Sequence, residues 1–415
     1  MKIVDGVHLH FIKNKKLKTN HITLRFSGEF DVKTSAKRVM VAQMLESSNA
    51  IYPTTQLFRR KLADLYGADL STSVSVKGKV HIVDIDITFI KDKFSYEHDS
   101  VIKEVIVFVR DMLFKPHVSV AQYHLQSFEI EKENMINYLK ADKEDIFYRS
   151  ELGLHDLYYK DDTLKLSKYS NESLIEKESA YTCYQEFKKM ISEDVIDIFI
   201  VGEYDDYTMI QLFHTYPFDG REKKLTYLYS QSYSNITQEK IIKQDVKQSV
   251  IHLGYHLSVD YTDPLYFALI VFNGMFGGFS HSKLFMEVRE KEGLAYSISS
   301  QFDIFTGLYS VTTAIDQKQR DKCLKIINRQ LMGIRKGRFT SNFLSQTKKL
   351  LNSNRILAMD SAKSNVEYFY NQFHIEGFPT LEDWLDKVDK VRKEDIMRVA
   401  CQIKLQTLYF VEGEN

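Results

Sequence analysis

The side chains best suited to chemistry lie in one run, Arg289-Glu-Lys-Glu-Gly-Leu-Ala-Tyr296. A guanidinium presents a fork of N–H donors that matches peptide carbonyls. A phenol hydroxyl can donate to an oxyanion as charge develops on it. The spacing places Arg289 in the last turn of a short helix closed by Gly293, and Tyr296 at the start of the strand that follows. A tight helix-to-strand turn would bring the two together. There is also a plain structural account. An Arg in a last helical turn offsets the helix dipole, and a Tyr at a strand start often only packs.

Other candidates carry less. His252 and His256 form H-x-x-x-H, a metal pair if helical, but residues 249–259 alternate as a strand. Four residues along a strand span roughly 13 Å, too far for one ion. The Gly-rich stretch Gly274 to Lys283 lacks the G-x-x-x-x-G-K-[ST] order of a phosphate loop. Glu129, Glu131 and Glu133 form an acidic helix face, solvated or lining a chamber. Cys183, Cys323 and Cys401 are odd in number and far apart. They fit a reducing compartment and neither a disulfide frame nor a thiolate zinc site.

The elements that must position these residues repeat along the chain. In the first half, strands are expected at 7–12, 21–28, 70–76, 79–90 and 196–201. Helices are expected at 36–47, 57–66, 95–115, 118–140 and 143–157. Within 79–90, Val83, Ile85, Ile87 and Phe89 alternate with Asp84, Asp86 and Thr88, as in a half-buried strand. The second half repeats the order, with strands at 250–259, 296–302, 308–314 and 408–414. Its helices fall at 264–276, 284–292, 316–335, 340–358, 361–374 and 393–402. Two anchors recur at half-chain spacing. One is Leu-Phe before a helix-ending Gly (Leu57-Phe58, Leu284-Phe285); the other is a closing strand (Ile198-Phe-Ile-Val-Gly-Glu203, Leu408-Tyr-Phe-Val-Glu-Gly-Glu414). The reading is an α+β fold of two structurally similar domains, each an antiparallel-rich β-sheet packed with helices on one face. The expected boundaries are 1–217 and 244–415, with the polar stretch 218–243 as linker.

In this order of elements, and in Lys283-Leu-Phe-Met-Glu-Val-Arg-Glu-Lys-Glu-Gly-Leu-Ala-Tyr-Ser297 after Gly277-Gly278, the chain resembles the insulinase/pitrilysin metallopeptidases over nearly its whole length. Members with zinc carry H-x-x-E-H on a helix after the second strand, with a third ligand, a Glu, from a later helix. The matching helix here reads Val41-Ala-Gln-Met-Leu-Glu-Ser47. The two His positions hold Gln43 and Ser47, and only Glu46 of the motif remains. The later helix places Tyr138 at the third-ligand position, with Glu129, Glu131 and Glu133 close in register. A neutral amide and a protonated hydroxyl do not replace imidazoles, so no metal cofactor is expected in this chain, which alone should carry no stoichiometric zinc. Glu46 itself reads equally as a polar helix-face residue. The resemblance implies that Arg289 and Tyr296 bind the substrate backbone and stabilise the oxyanion opposite a metal.

The family includes short two-domain pairs in which one subunit supplies H-x-x-E-H and the other the Arg/Tyr pair. The resemblance therefore implies a non-catalytic subunit of a heterodimeric zinc metallopeptidase. It would be inactive alone and would act in trans on a peptide substrate. Its partner would be an H-x-x-E-H-bearing homologous subunit, YmfH-like, that holds the zinc. An association by name with elongation factor P modification comes with the resemblance and has no support in these residues. The alternative is a non-enzymatic scaffold or peptide-binding protein of the same fold, self-paired as a homodimer. An active enzyme with an unfamiliar metal arrangement is a third reading.

Composition bounds the rest. Across 415 residues, Lys+Arg and Asp+Glu balance at 56 each, and hydrophobic residues make up 44%. That balance offers no polycationic surface for nucleic acid. The 25 Tyr and 27 Phe are scattered and form no stacking pattern. No run approaches the 18 apolar residues of a membrane span, and residues 1–6 begin no apolar stretch of signal-peptide length. A cytoplasmic protein is expected.

Overall fold

The computed structural model describes residues 1–96 and 100–413. Residues 97–99 of the expected 95–115 helix and Glu414 of the expected closing strand lie outside the described residues.

The chain divides into two compact units that interleave in sequence. The first unit comprises Met1–Ala141, Leu166–Tyr227 and Met359–Tyr370. The second comprises Asp142–Lys165, Leu228–Ala358 and Asn371–Asn415. Each takes a helix from the other half of the sequence, across the boundaries that sequence spacing suggests.

The first unit's main strands are β1 (Lys2–Val4), β2 (Val7–Lys13), β3 (Thr19–Glu29), β4 (Asp69–Lys77) and β5 (Val80–Ile90). A short hairpin, β6 (Val118–Ser119) and β7 (Gln122–Tyr123), precedes the closing strand β8 (Val195–Gly202). The six-stranded sheet runs β1-β2-β8-β3-β5-β4, antiparallel except for the parallel β2–β8 pair. Residues 118–123 were expected to be helical. They form the β6–β7 hairpin because Tyr123 is buried against Tyr184 and Phe187, and the helix begins at Leu125.

The second unit's strands are β9 (Gln238–Gln244), β10 (Ser249–His256), β11 (Ala295–Asp303), β12 (Leu308–Ile315) and β13 (Lys404–Gly413). They form a sheet ordered β11-β12-β10-β13-β9, antiparallel except for the parallel β13–β9 pair. Read from the edge strand inward, this repeats β4-β5-β3-β8-β2, so β9 is the counterpart of β2. The second copy of the domain thus starts inside the stretch read as linker.

In each unit, one sheet face packs on helices. In the first, Leu9, Leu24, Phe26, Ile85 and Ile198 meet Val39, Met40 and Phe187. In the second, Leu253, Tyr309, Val311 and Phe410 meet Phe272, Ile327 and Val399. The other face of each sheet also carries a helix. In the second unit Ile146–Tyr158 lies over β10 and β13, with Gly153 against Tyr409 and Leu154 against Gly254.

In the first unit Ala362–Tyr370 lies over a polar face. There Arg25 forks onto Asp84 with two 2.8 Å bonds and reaches Glu367 at 2.9 Å, and Lys77 pairs with Glu367. Tyr370 shares its hydroxyl with Ser27 at 2.8 Å and Tyr227 at 2.9 Å. The alternating Asp84 and Asp86 of β5 are therefore buried, at 7% and 5% exposure, rather than solvent-facing as the pattern suggests. Charge pairing makes that burial tolerable.

Candidate functional site

The Arg289–Tyr296 run lies wholly in the second unit. Residues Phe285–Lys291 wind as a π-helix rather than an α-helix, with Glu292 N–H donating to Glu287 C=O. Such i→i+5 turns concentrate at functional sites. The helix ends where Gly293 N–H donates to Arg289 C=O and Leu294 N–H to Val288 C=O. Gly293 has φ +60°, the left-handed conformation that glycine adopts at least cost. The first unit ends its helix Thr55–Asp64 in the same way, with Gly67 at φ +70° and Gly67 N–H donating to Ala63 C=O.

The chain then enters β11, an edge strand. Between Ala295↔Ile315 and Ile298↔Thr313, β11 advances three residues while β12 advances two. This places a β-bulge at Tyr296–Ser297, a device that re-aims a side chain. Tyr296 is 82% exposed. The Arg289 guanidinium lies over the Phe285 ring at 4.6 Å. Its ion pair is with Glu290 at 3.7 Å, too long for a hydrogen bond. Neighbouring acids are taken by other cations: Glu287 by Lys291 and Arg329, and Glu292 by Lys322 at 2.8 Å. That last contact holds the Glu292 carboxyl below its usual range. The fork of Arg289 and the phenol of Tyr296 both face solvent, on either side of one turn.

The degenerate motif lies in the first unit, at the end of the helix Val32–Leu45. The helix stops just before Glu46, whose carboxylate ties it to the edge strand β4. Thr72 N–H donates to Glu46 Oε2 at 2.9 Å, and Thr72 Oγ donates to the same oxygen at 3.2 Å and to Ala42 C=O at 2.9 Å. Ser47 is buried and donates its hydroxyl to Met44 C=O at 3.0 Å. Gln43 is half-buried on the same turn. Tyr138 stands on a different helix, Leu125–Asp142, half exposed and edge-on to Tyr169 at 5.5 Å. These four positions offer one carboxylate, already engaged with β4, and no imidazole.

His252 and His256 fall on β10, as the alternation indicates. Ser150 Oγ meets His252 Nδ1 at 3.2 Å, and His256 Nε2 meets Gln231 C=O at 2.9 Å.

One cluster escaped sequence reasoning. His8 and His10 on β2 converge on Asp197 of β8, with His8 Nδ1 at 3.3 Å and His10 Nε2 at 2.8 Å from Asp197 Oδ1. H-x-H within a strand is a signal that both imidazoles share a face. The carboxylate, 187 residues on from His10, becomes visible only through the parallel pairing.

Comparison with known proteins agrees with this anatomy. Residues 183–351, which include Arg289 and Tyr296, match the family model described as the peptidase M16 inactive domain. The chain is 28% identical over 410 residues to the probable inactive metalloprotease YmfF of Bacillus subtilis strain 168, covering 98% of this chain and 96% of that protein. The chain belongs to the M16 peptidase family. Within it, this is an inactive metalloprotease homologue.

A crystal structure of a conserved protein from Enterococcus faecalis V583 superposes with a TM-score of 0.94 at 34% identity, covering 100% of this M16 chain and 98% of the other. A peptidase M16 inactive domain from Pseudomonas fluorescens shares the fold, with a TM-score of 0.78 at 16% identity, covering 99% and 97%. Among the described residues, no helix is long and apolar enough to cross a membrane.

Proposed function

We propose that this chain is the non-catalytic subunit of a heterodimeric zinc metallopeptidase. Its partner is an H-x-x-E-H-bearing M16 homologue whose zinc activates water against the scissile carbonyl. In this reading Arg289 holds the peptide backbone through its donor fork, and Tyr296 donates to the oxyanion, both in trans.

The observation that carries the reading is an asymmetry between the two motif sites. Arg289 and Tyr296 stand exposed on a π-turn and a bulge, and among the described residues no hydrogen bond consumes their side-chain donors. At the motif helix of the first unit, Glu46 and Ser47 are instead absorbed into local hydrogen bonds.

The experiment is co-expression with an H-x-x-E-H homologue from the same genome, followed by a peptidase assay with and without chelator. The expected result is a co-purifying pair with chelator-sensitive cleavage, neither subunit cleaving alone, and activity lost in Arg289→Ala. A stable homodimer of this chain that binds peptide and ignores the homologue would overturn the proposal in favour of a non-enzymatic scaffold.

A further inference from the structure

The His8–His10–Asp197 cluster lies on the face of the first sheet opposite the motif helix. On β2, Val7 and Leu9 point into the helix-packed core, so His8 and His10 point the other way. Asp197 is the register partner of His8 on β8 and is fully buried. The cluster is therefore no displaced remnant of H-x-x-E-H, whose helix packs on the core face.

We propose that His8, His10 and Asp197 form a binding site for a borderline divalent transition-metal ion, of the zinc or cobalt type. Three observations support it. First, the three ligand atoms lie within 4.8 Å of one another. Bonds of about 2.0–2.2 Å from N and O ligands to one tetrahedral ion put donor atoms roughly 3.3–3.5 Å apart. The His8 Nδ1 to Asp197 Oδ1 separation, 3.3 Å, already matches; the His10 contact, 2.8 Å, needs to open by about half an ångström.

Second, the imidazoles are poised rather than loose. The Phe199 ring stacks on His10 at 4.5 Å and 14°, fixing its plane. Third, the His8 and His10 side chains keep 20% and 12% exposure, so solvent reaches both imidazoles. Two imidazoles and one carboxylate favour borderline ions over magnesium or calcium, which prefer all-oxygen sites. The bound ion would cross-link β2 to β8 and stabilise the first unit.

The test uses the full chain alone, stripped of metal, and so does not depend on any partner. Cobalt(II) is titrated by visible absorption and zinc(II) by competition against it, for wild type, His8→Gln and His10→Gln. Both variants retain a hydrogen-bonding group on a half-exposed strand. Circular dichroism and the thermal midpoint without metal confirm their folding. The expected result is one cobalt-binding site in wild type, weakened by more than about tenfold in each variant. Zinc should raise the thermal midpoint of wild type but not of His10→Gln. Absence of binding in wild type, or equal binding in all three folded proteins, would show a hydrogen-bonded cluster only and overturn the proposal.

Discussion

Gly153 tests the interleaving of the two units. It sits in the middle of the helix Ile146–Tyr158, where replacing glycine with alanine ordinarily gains ~1 kcal/mol of helix stability. Here a Cβ would stand 2.5 Å from Tyr409 Cε1 and Cε2 and closer still to Cζ. Ordinary carbon contact is about 3.5–4.0 Å, so Cζ, 2.1 Å from the added Cβ, must move away by about 1.4 Å or more. Tyr409 is only 6% exposed, and Leu154 is seated beside it against Gly254, so neither side has room to yield. Overpacking of this severity belongs near the top of the ~1–3 kcal/mol range.

After the gain in propensity, Gly153→Ala should destabilise the second unit by ~2 kcal/mol. In a Tyr409→Ala background the same change should be neutral or stabilising by up to ~1 kcal/mol, a coupling of about 2–3 kcal/mol. The chain's one tryptophan, Trp384, is buried in the second unit, so its fluorescence in urea reports this transition. Stabilisation by Gly153→Ala in the wild-type background, or equal destabilisation with and without Tyr409, would refute the docking of this helix on β13.

Two further outcomes follow from the same contacts. Glu46→Ala removes the acceptor that holds Thr72 and should cost the first unit ~1–2 kcal/mol in denaturant titration. It should leave the turnover of a reconstituted pair unchanged, and a large loss of turnover would return Glu46 to the chemistry. Burial pushes His252 down to about 3, and burial with the Arg38 charge pushes His81 down to about 3. Both stay neutral in the folded chain while the unfolded chain protonates below about 6.5. Stability is therefore full at neutral pH and is lost as pH falls from about 6.5 toward 3, by ~2 kcal/mol per histidine between pH 7 and 5. His252→Asn should lose about 2 kcal/mol less than wild type over that interval by Trp384 fluorescence, and an identical loss would contradict the assignment.

Most of the longer strands and most helices are legible because they carry strong periodicity, as in Val83-Asp-Ile-Asp-Ile87, and because the two halves echo each other. The run at Arg289–Tyr296 was legible down to its glycine stop, since Gly293 supplies the left-handed turn that ends the helix. The bulge at Tyr296 is not legible, because it depends on how β11 registers with β12, and neither is the π winding of residues 285–291.

β9 falls mostly within the stretch 218–243 read as linker because that stretch is polar and aperiodic; its parallel pairing with β13 makes it a strand. The helix Leu381–Lys390 was passed over, although Thr380 caps it and Trp384 and Val388 bury one face. The exchanged helical segments at 146–158 and 362–370, the latter the first part of the helix Ala362–His374, could not be placed, since local pattern shows that a helix is amphipathic but not which sheet receives it. The same limit hid the polar face at Arg25, Asp84 and Glu367, and with it Asp197 beneath His8 and His10.

The most direct test of the central claim is the kcat of the reconstituted pair with Tyr296→Phe in this chain. The substitution removes one hydroxyl from an exposed side chain and should leave folding and assembly intact. Losing an oxyanion donor of this kind typically lowers kcat by ~100–1,000-fold. The account predicts a loss of that order with co-purification of the partner unchanged. A kcat within about twofold of wild type would contradict it.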